Sequence, residues 1–251
     1  MTVQNSDPHS TRLQLGPGQQ RDAFVTFSRQ CRADGFDIIH PFQVELFNSV
    51  ATRSERLPDF GRPALAAVVG NTRFLWPRFM AALEAEPERR NLPHPLDSYV
   101  QDCVYRACKT TSVRITVLWG HVTEPRVLPI QRIARAAGLA TISPSHFSIH
   151  PMYGPWLALR AVVIFDMDGP NDRARLMSSP CDSCSQPCMS ALSDALAMAE
   201  QRGEPLQVAT RRDWRQWARV RQLCPLGREH EYSDPQLEYH YTKNRQLLTL
   251  P

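Results

Sequence analysis

Apolar residues recur along this chain with two periods, which predict a mixture of helices and strands. Apolar positions three or four residues apart line one face of a helix, whereas alternating positions line one face of a strand. Helical spacing is found over residues 21–31, 42–54, 74–86, 95–107, 130–137 and 189–199. Strand patterns are found over residues 63–69, 113–119 and 157–165. We therefore expect a chain that mixes several strands with a larger number of helices.

The last of these helices has an apolar face that we predict to be its buried side. Met189, Leu192, Leu196 and Ala199 recur at helical spacing, and Gly203 follows as a stop signal. Leu192 is therefore predicted to belong to the core.

Four of the seven cysteines have the spacing of a ligand set for one iron–sulfur cluster. Cys181, Cys184 and Cys188 are close together, and the distant Cys224 is followed at once by Pro225. In two-cluster ferredoxins a tight run of cysteines and a distant Cys-Pro share the ligation of a cluster. Thiolates suit iron–sulfur chemistry because each iron corner takes one soft sulfur ligand. We therefore predict one four-iron cluster on these four cysteines.

The ligands of a second cluster are missing. A fourth cysteine of the run would fall at Leu192, where the next residue is Ser193 and not proline. Zinc is an alternative occupant of the four cysteines, since four thiolates also form a tetrahedral structural site, and a set without metal is the third interpretation. Cys31, Cys103 and Cys108 fall in apolar helical patterns, which favours buried thiols without a metal.

Length and charge exclude several classes. The chain has 251 residues, enough for one domain or one domain with an appendage, and its net charge of +4 comes without a dense basic block with interleaved aromatics. We therefore expect no nucleic acid among the partners.

Residues 1–20 are predicted to be a disordered leader, not an export signal, and no apolar run reaches the length of a membrane span. Reduced cysteines then favour the cytoplasm.

Arg160 lies in the middle of the apolar strand pattern at residues 157–165. A buried guanidinium needs an anionic partner, because an unpaired buried charge is expensive. The partner is either a carboxylate of the protein or an anionic group of a ligand, which a guanidinium binds in bidentate fashion.

Several stretches resemble the CblC-type cobalamin-processing proteins, which have a nitroreductase and flavin-reductase-like sandwich fold. The similar stretches are residues 35–44, 149–160, 213–217, 232–233 and 245–248. A closer resemblance is to bacterial ferredoxin-like proteins, which combine this scaffold with a ferredoxin module. It is carried by Gly70-Asn71, Leu75-Trp76-Pro77, residues 94–97, 129–132, 143–145 and 180–191, and Cys224 to Glu229.

The resemblance implies domain boundaries and cofactors. Residues 21–178 and 204–251 are expected to form the α+β domain, and residues 179–203 an inserted ferredoxin-like cysteine loop and helix, completed by Cys224. The expected cofactors are one 4Fe-4S cluster and a cobalamin, a pair also found in epoxyqueuosine reductases and reductive dehalogenases. The cobalamin or its reducing thiol is expected to contact Leu128, Pro129, Ile130, Gln131, Ile142, Ser143, Pro144, Ser148, Leu159, Arg160 and Arg245.

The function expected from this combination is electron delivery from an iron–sulfur cluster to a bound cobalamin, as in a cobalamin-linked oxidoreductase. An alternative is a corrinoid or flavin carrier with a purely structural metal centre, and a third is a pseudo-enzyme that retains one cluster for stability. The expected partners are an external electron donor (ferredoxin, flavodoxin or reductase), a corrinoid and, as one option, a second copy in a homodimer. No catalytic residue is assigned. For His150 we favour a structural hydrogen bond over cobalt ligation.

Overall fold

The computed structural model describes residues 17–171 and 177–249. The helices in this part of the chain are α1 (Pro17–Ala33), α2 (Val44–Asn48), α3 (Leu75–Ala85), α4 (Pro95–Lys109), α5 (Ile130–Ala136), α6 (Cys188–Gln201), α7 (Leu206–Arg212), α8 (Trp214–Gln222) and α9 (Asp234–Thr242). The strands are β1 (Ile38–Gln43), β2 (Ala64–Asn71), β3 (Ile115–Trp119), β4 (Thr141–Ile142), β5 (Ser148–Ile149) and β6 (Ala158–Asp168). Short 3₁₀ segments cover Pro87–Asn91, Arg228–His230 and Arg245–Leu248. The predicted leader lies outside the described residues, except for residues 17–20, which begin α1.

The main sheet has four antiparallel strands in the order β1-β2-β6-β3. Its central strands, β2 and β6, are the continuous apolar runs of the sequence, and every residue of β2 is buried. Val68 faces Val162, and Val163 faces Val117 on the other side. The expected α+β class is confirmed. No helix among residues 17–171 and 177–249 is long and apolar enough to cross a bilayer.

The chain divides into two compact units, each built from three segments. The first unit comprises residues 1–71, 93–139 and 158–176, and the second comprises residues 72–92, 140–157 and 177–251. The main sheet with α1, α2, α4 and α5 belongs to the first unit, whereas the β4–β5 ribbon, α3 and α6 to α9 belong to the second. All four cysteines of the predicted cluster therefore belong to the second unit.

The helix predicted over residues 42–54 is largely wrong. Residues 38–43 form strand β1, and the helix that follows is only five residues long. Pairing with β2 overrides the local helical pattern, because it buries Ile38, Ile39 and Phe42. Pro41 is tolerated because β1 is an edge strand of the sheet, where a missing N–H need not cost a ladder hydrogen bond.

The predicted buried face of α6 is correct at Ala199 and wrong at its other three positions. Ala191, Ala195 and Ala199 are the buried residues, whereas Met189 and Leu196 are exposed and Leu192 is half-buried. The alanines recur every four residues, so the small side chains form a stripe along which α8 packs. The larger residues are therefore turned away from the contact, and Leu192 is a boundary residue, not a core residue.

Of the three thiols in the first unit that were predicted to be buried, two are. Cys31 and Cys103 are buried and Cys108 is half-buried, and all three are free. Burial is the main cause of a raised pKa at Cys103, to about 11, and at Cys108, to about 12. Burial also raises the pKa of Cys31. These thiols remain protonated and weakly reactive at neutral pH.

Alkaline pH should destabilise the fold through these thiols. A thiol in the unfolded chain ionises near pH 8.5, whereas the buried thiol stays protonated until about pH 11 or 12. The free energy of unfolding is therefore unaffected below about pH 8.5 and falls as the pH rises from there toward those values. Each thiol should cost about 1.4 kcal/mol of unfolding free energy per pH unit in this window. Urea unfolding of the wild type and Cys103→Ala at pH 8 and pH 10 measures the slope. An equal slope for both proteins would contradict the assignment of Cys103.

Candidate functional site

The cysteine loop and a helix end bring the four predicted ligands to one pocket. Cys181 and Cys184 lie in turns before α6, Cys188 is the first residue of α6, and Cys224 follows the end of α8 by two residues. All four are half-buried and free. The pocket is lined by Cys181, Cys184, Cys188 and Cys224 together with Ser143, Ser145, Phe147, Ile149, Pro155, Gln186, Pro187, Val220 and Pro225.

Burial favours the neutral form of two of the four thiols, Cys181 and Cys224. The pKa of Cys181 and that of Cys224 are both raised, first by burial and then by the other cysteines of the set. Opposing contributions come from hydrogen bonds: the side chain of Ser179 lowers the pKa of Cys181, and the backbone N–H of Leu226 lowers that of Cys224. A bound metal centre would supply the positive charge that these thiols need to ionise.

Two of the four cysteines accept a hydrogen bond at sulfur from the backbone N–H of the residue two positions later. The N–H of Gln186 donates to Sγ of Cys184 at 3.3 Å, and the N–H of Leu226 donates to the sulfur of Cys224. Such donors stabilise ligated thiolates and set the reduction potential of iron–sulfur centres. The donor set and its apolar walls therefore fit a thiolate-bound metal centre.

The cysteines are gathered but are not arranged around a single ion. Among residues 17–171 and 177–249, no group of three or more His, Cys, Asp or Glu side chains could hold one metal ion. Around one zinc ion the sulfurs would lie roughly 3.8 Å apart, given a Zn–S length of about 2.3 Å. A four-iron cluster separates its thiolates further, because each binds a different iron.

Two glycines allow the segment that carries Cys224 to pack directly on the turn at residues 150–154. Gly154 and Gly227 both have positive φ, at 55° and 68°. A Cβ on Gly154 would lie 2.2 Å from the carbonyl oxygen of Leu226, and a Cβ on Gly227 would lie 2.3 Å from the carbonyl of Tyr153. The two backbones touch where neither residue could carry a side chain, which fixes the position of the segment after Cys224.

His150 occupies the start of that same turn. Its Nδ1 accepts hydrogen bonds from the backbone N–H of Met152 at 3.1 Å and of Tyr153 at 3.3 Å. Its ring stacks on Tyr153 with 4.5 Å between centroids, and Tyr153 in turn contacts the edge of His230 at 4.8 Å. The structural role favoured for His150 agrees with these contacts.

Arg160 has an internal carboxylate and an amide within reach. Its Nε donates to Oδ1 of Asn71 at 2.8 Å, and its Nη1 lies 3.8 Å from Oδ1 of Asp97, with 12% of the arginine side chain exposed. The backbone explains its orientation: Val69 pairs with Ala161 but Gly70 pairs with Leu159, so Arg160 is the extra residue of a β-bulge. Bulges re-aim side chains next to functional sites.

The other residues expected to contact a cobalamin fall into both units. Leu128 is buried, Pro129, Ile130 and Gln131 begin α5, and Leu159 precedes Arg160, all in the first unit. In the second unit Ile142 is half-buried, Pro144 and Arg245 are exposed, and Ser148 is buried. Ser143 lines the cysteine pocket and bonds Oγ of Ser145 at 3.0 Å. Their role toward a corrin remains a prediction.

The backbone is similar to the crystal structure of a C. elegans B12-trafficking protein CblC, a homologue of human MMACHC. The TM-score is 0.66 at 16% identity, over 92% of this chain and 96% of that one. An epoxyqueuosine reductase aligns with a TM-score of 0.48 at 14% identity over 87% of this chain and 69% of that one. No protein-family model and no curated protein matches the sequence. The likeness to the CblC protein therefore establishes a shared fold.

Replacing either packed glycine should displace the Cys224 segment. Gly227→Ala is expected to lower the free energy of unfolding by at least about 2 kcal/mol more than Gly203→Ala, because it adds a backbone clash to the strain of positive φ. Gly203 is the matched control, since it has φ of 63° and no atom lies within 4 Å of the position that a Cβ would take. Urea unfolding of both variants measures the difference. Equal losses would show that the contact between residues 153–154 and 226–227 is dispensable.

Proposed function

We propose that this chain is a redox protein that holds one four-iron cluster and delivers electrons to a bound cobalamin. The observation that carries the proposal is the convergence of Cys181, Cys184, Cys188 and Cys224 on one apolar pocket. Three of these cysteines come from one loop and the fourth from a different helix end, so their meeting depends on the fold and not on sequence proximity alone. The Cys181 loop then corresponds to the ferredoxin-like insertion.

The cysteine spacing and the pocket together support the choice of metal in this proposal. A cluster is favoured over zinc because three closely spaced cysteines and a distant Cys-Pro, the spacing of a ferredoxin ligand set, line the same pocket. When bound, such a cluster supplies one-electron chemistry. The chain's own contribution is to hold the thiolates, to direct the N–H groups of Gln186 and Leu226 at two of them, and to surround them with apolar walls. Thiolate ligation also favours the reducing cytoplasm as its compartment.

The cobalamin half of the proposal is supported by the fold and by Arg160. The solved protein with the same fold is a B12-trafficking protein, which makes a corrinoid the first acceptor to test. Arg160 is a charged residue aimed by a bulge near the end of β2 and the start of α4. Its guanidinium can hold an anionic group of the ligand while Asp97 balances the charge in the free protein.

Protein purified without oxygen should contain about four iron and four sulfide per chain, by the stoichiometry of such a cluster. Cys224→Ser should lose most of both, whereas Cys108→Ser, a matched thiol in the first unit, should retain them. Colorimetric iron and sulfide analysis with visible absorption measures this. If the protein instead contains one equivalent of zinc and no sulfide, the four cysteines form a structural zinc site. If it contains a cluster whose absorption dithionite does not bleach, the carrier function is favoured.

Arg160→Gln should weaken cob(II)alamin binding about thirtyfold, or about 2 kcal/mol, through loss of a charge-assisted contact. Asp97→Asn is the control, because it breaks the ion pair and leaves the guanidinium in place. Anaerobic calorimetric titration measures affinity, and thermal unfolding without ligand reports the structural role separately. Unchanged affinity in folded Arg160→Gln would reduce Arg160 to an internal ion pair. Wild type that gives neither heat nor a spectral shift would remove the corrinoid.

A further inference from the structure

The surface beside the cysteine pocket carries a local excess of positive charge. Residues 205–228 contain six arginines and a single carboxylate, Asp213, although the whole chain has a net charge of only +4. Three of these arginines are exposed: Arg211 at the end of α7, and Arg215 and Arg219 one helical turn apart on α8. We call these three side chains the basic face.

The protein's own carboxylates do not neutralise the basic face. Asp213 pairs with Arg202 at 2.7 Å and with Arg212 at 2.8 Å, and Glu204 also pairs with Arg212. Within the described ranges, no carboxylate lies within ion-pair distance of Arg211, Arg215 or Arg219. Asp213, which lies between α7 and α8, is thus already engaged, and the basic face retains its field toward solvent.

The basic face is built on the helix that leads to the metal ligand. Ala218 and Val220 of α8 are buried, and Val220 lines the cysteine pocket, while Arg219 between them is exposed. Cys224 follows five residues after Arg219. A molecule bound to Arg215 and Arg219 would therefore stand close to the proposed redox centre.

The two aromatic residues of α8, Trp214 and Trp217, are both half-buried. Trp214 is partly buried against the cluster formed by Trp156, Ala218, Tyr232 and Leu237, and the guanidinium of Arg215 lies 4.5 Å from its ring centroid. Single-stranded nucleic acids need open aromatic faces in addition to positive charge. The exposed apolar residues nearby are Leu206 and Val208, each 51% exposed, which suit a protein partner.

We infer that the basic face is the docking site of a small acidic electron-carrier protein of the flavodoxin type, which reduces the centre at Cys224. This inference rests on the proposed function and names its electron donor. The carrier loses one electron and the redox centre of this chain gains it, with no bond made or broken and no proton transferred. Complementary charge raises the association rate and orients the carrier toward the helix end.

The test is calorimetric binding of oxidised flavodoxin to the whole chain at 50 mM and 300 mM salt. Arg215→Glu/Arg219→Glu should weaken binding at least tenfold at low salt and lose most of the salt dependence, because exposed charge pairs are screened. The matched control is Arg21→Glu/Arg29→Glu on α1, which makes the same change in net charge at two exposed arginines of the other unit. It should bind flavodoxin as the wild type does.

Each outcome bears on the inference directly. Equal weakening by both double variants would reduce the effect to net charge and overturn the site. If wild type binds no flavodoxin but shifts a tRNA transcript in gels, and the charge reversal abolishes that shift, the surface is a nucleic-acid site instead. Iron and sulfide analysis of the same preparations keeps the two proposals apart: wild type without a cluster but with Arg215-dependent binding would contradict the proposed function and retain the docking site.

Discussion

The contact between Gly154 and the segment around Gly227 is the constraint on which the candidate site depends. A ligand set with one distant member works only if the distant segment is held in a fixed place. Here the segment is held by direct backbone contact. A Cβ on Gly154 or Gly227 would lie only 2.2 to 2.3 Å from a backbone carbonyl of the other segment. Side-chain packing relaxes by rotamer changes, whereas backbone contact has no such freedom. The turn that begins at His150 is therefore structural support for Cys224.

Electrostatics decide which charge state the cysteines of this pocket can adopt. Four thiols share apolar walls, and burial and mutual repulsion raise the pKa of Cys181 and of Cys224. The backbone N–H of Leu226 opposes this shift at Cys224, because it lowers the pKa of that thiol. Without a cation, ionising Cys181 and Cys224 is therefore unfavourable, whereas a bound metal centre would stabilise both thiolates. Folding of the loop and binding of metal should then be coupled.

The sequence was a good guide where one physical signal dominated. Continuous apolar runs identified β2 and β6, and cysteine spacing identified a set that the fold gathers into one pocket. The failures have a common cause, because long-range contacts decided the outcome. Pairing with β2 placed Phe42 and Gln43, the start of a predicted helix, in a strand, and contact with α8 turned the alanines of α6 inward. The glycine contact and the partners of Arg160 join residues distant in sequence, for which the chain carries no local signal.

The ion pair between Arg160 and Asp97 is compatible both with a structural role of Arg160 and with a role in binding an anionic ligand. An arginine that binds an anion must remain stable before the anion arrives, and a carboxylate at 3.8 Å with an amide at 2.8 Å provides that stability. The ion pair is longer than a charge-assisted hydrogen bond, so it balances charge without using the full directional capacity of the guanidinium. The bulge adds the remaining requirement, since it turns one residue of a buried strand out of the regular alternation. In a regular strand, alternation alone would decide which face of the sheet the side chain of Arg160 is on. Because Arg160 is the extra residue of a bulge, its side chain is not bound by that alternation.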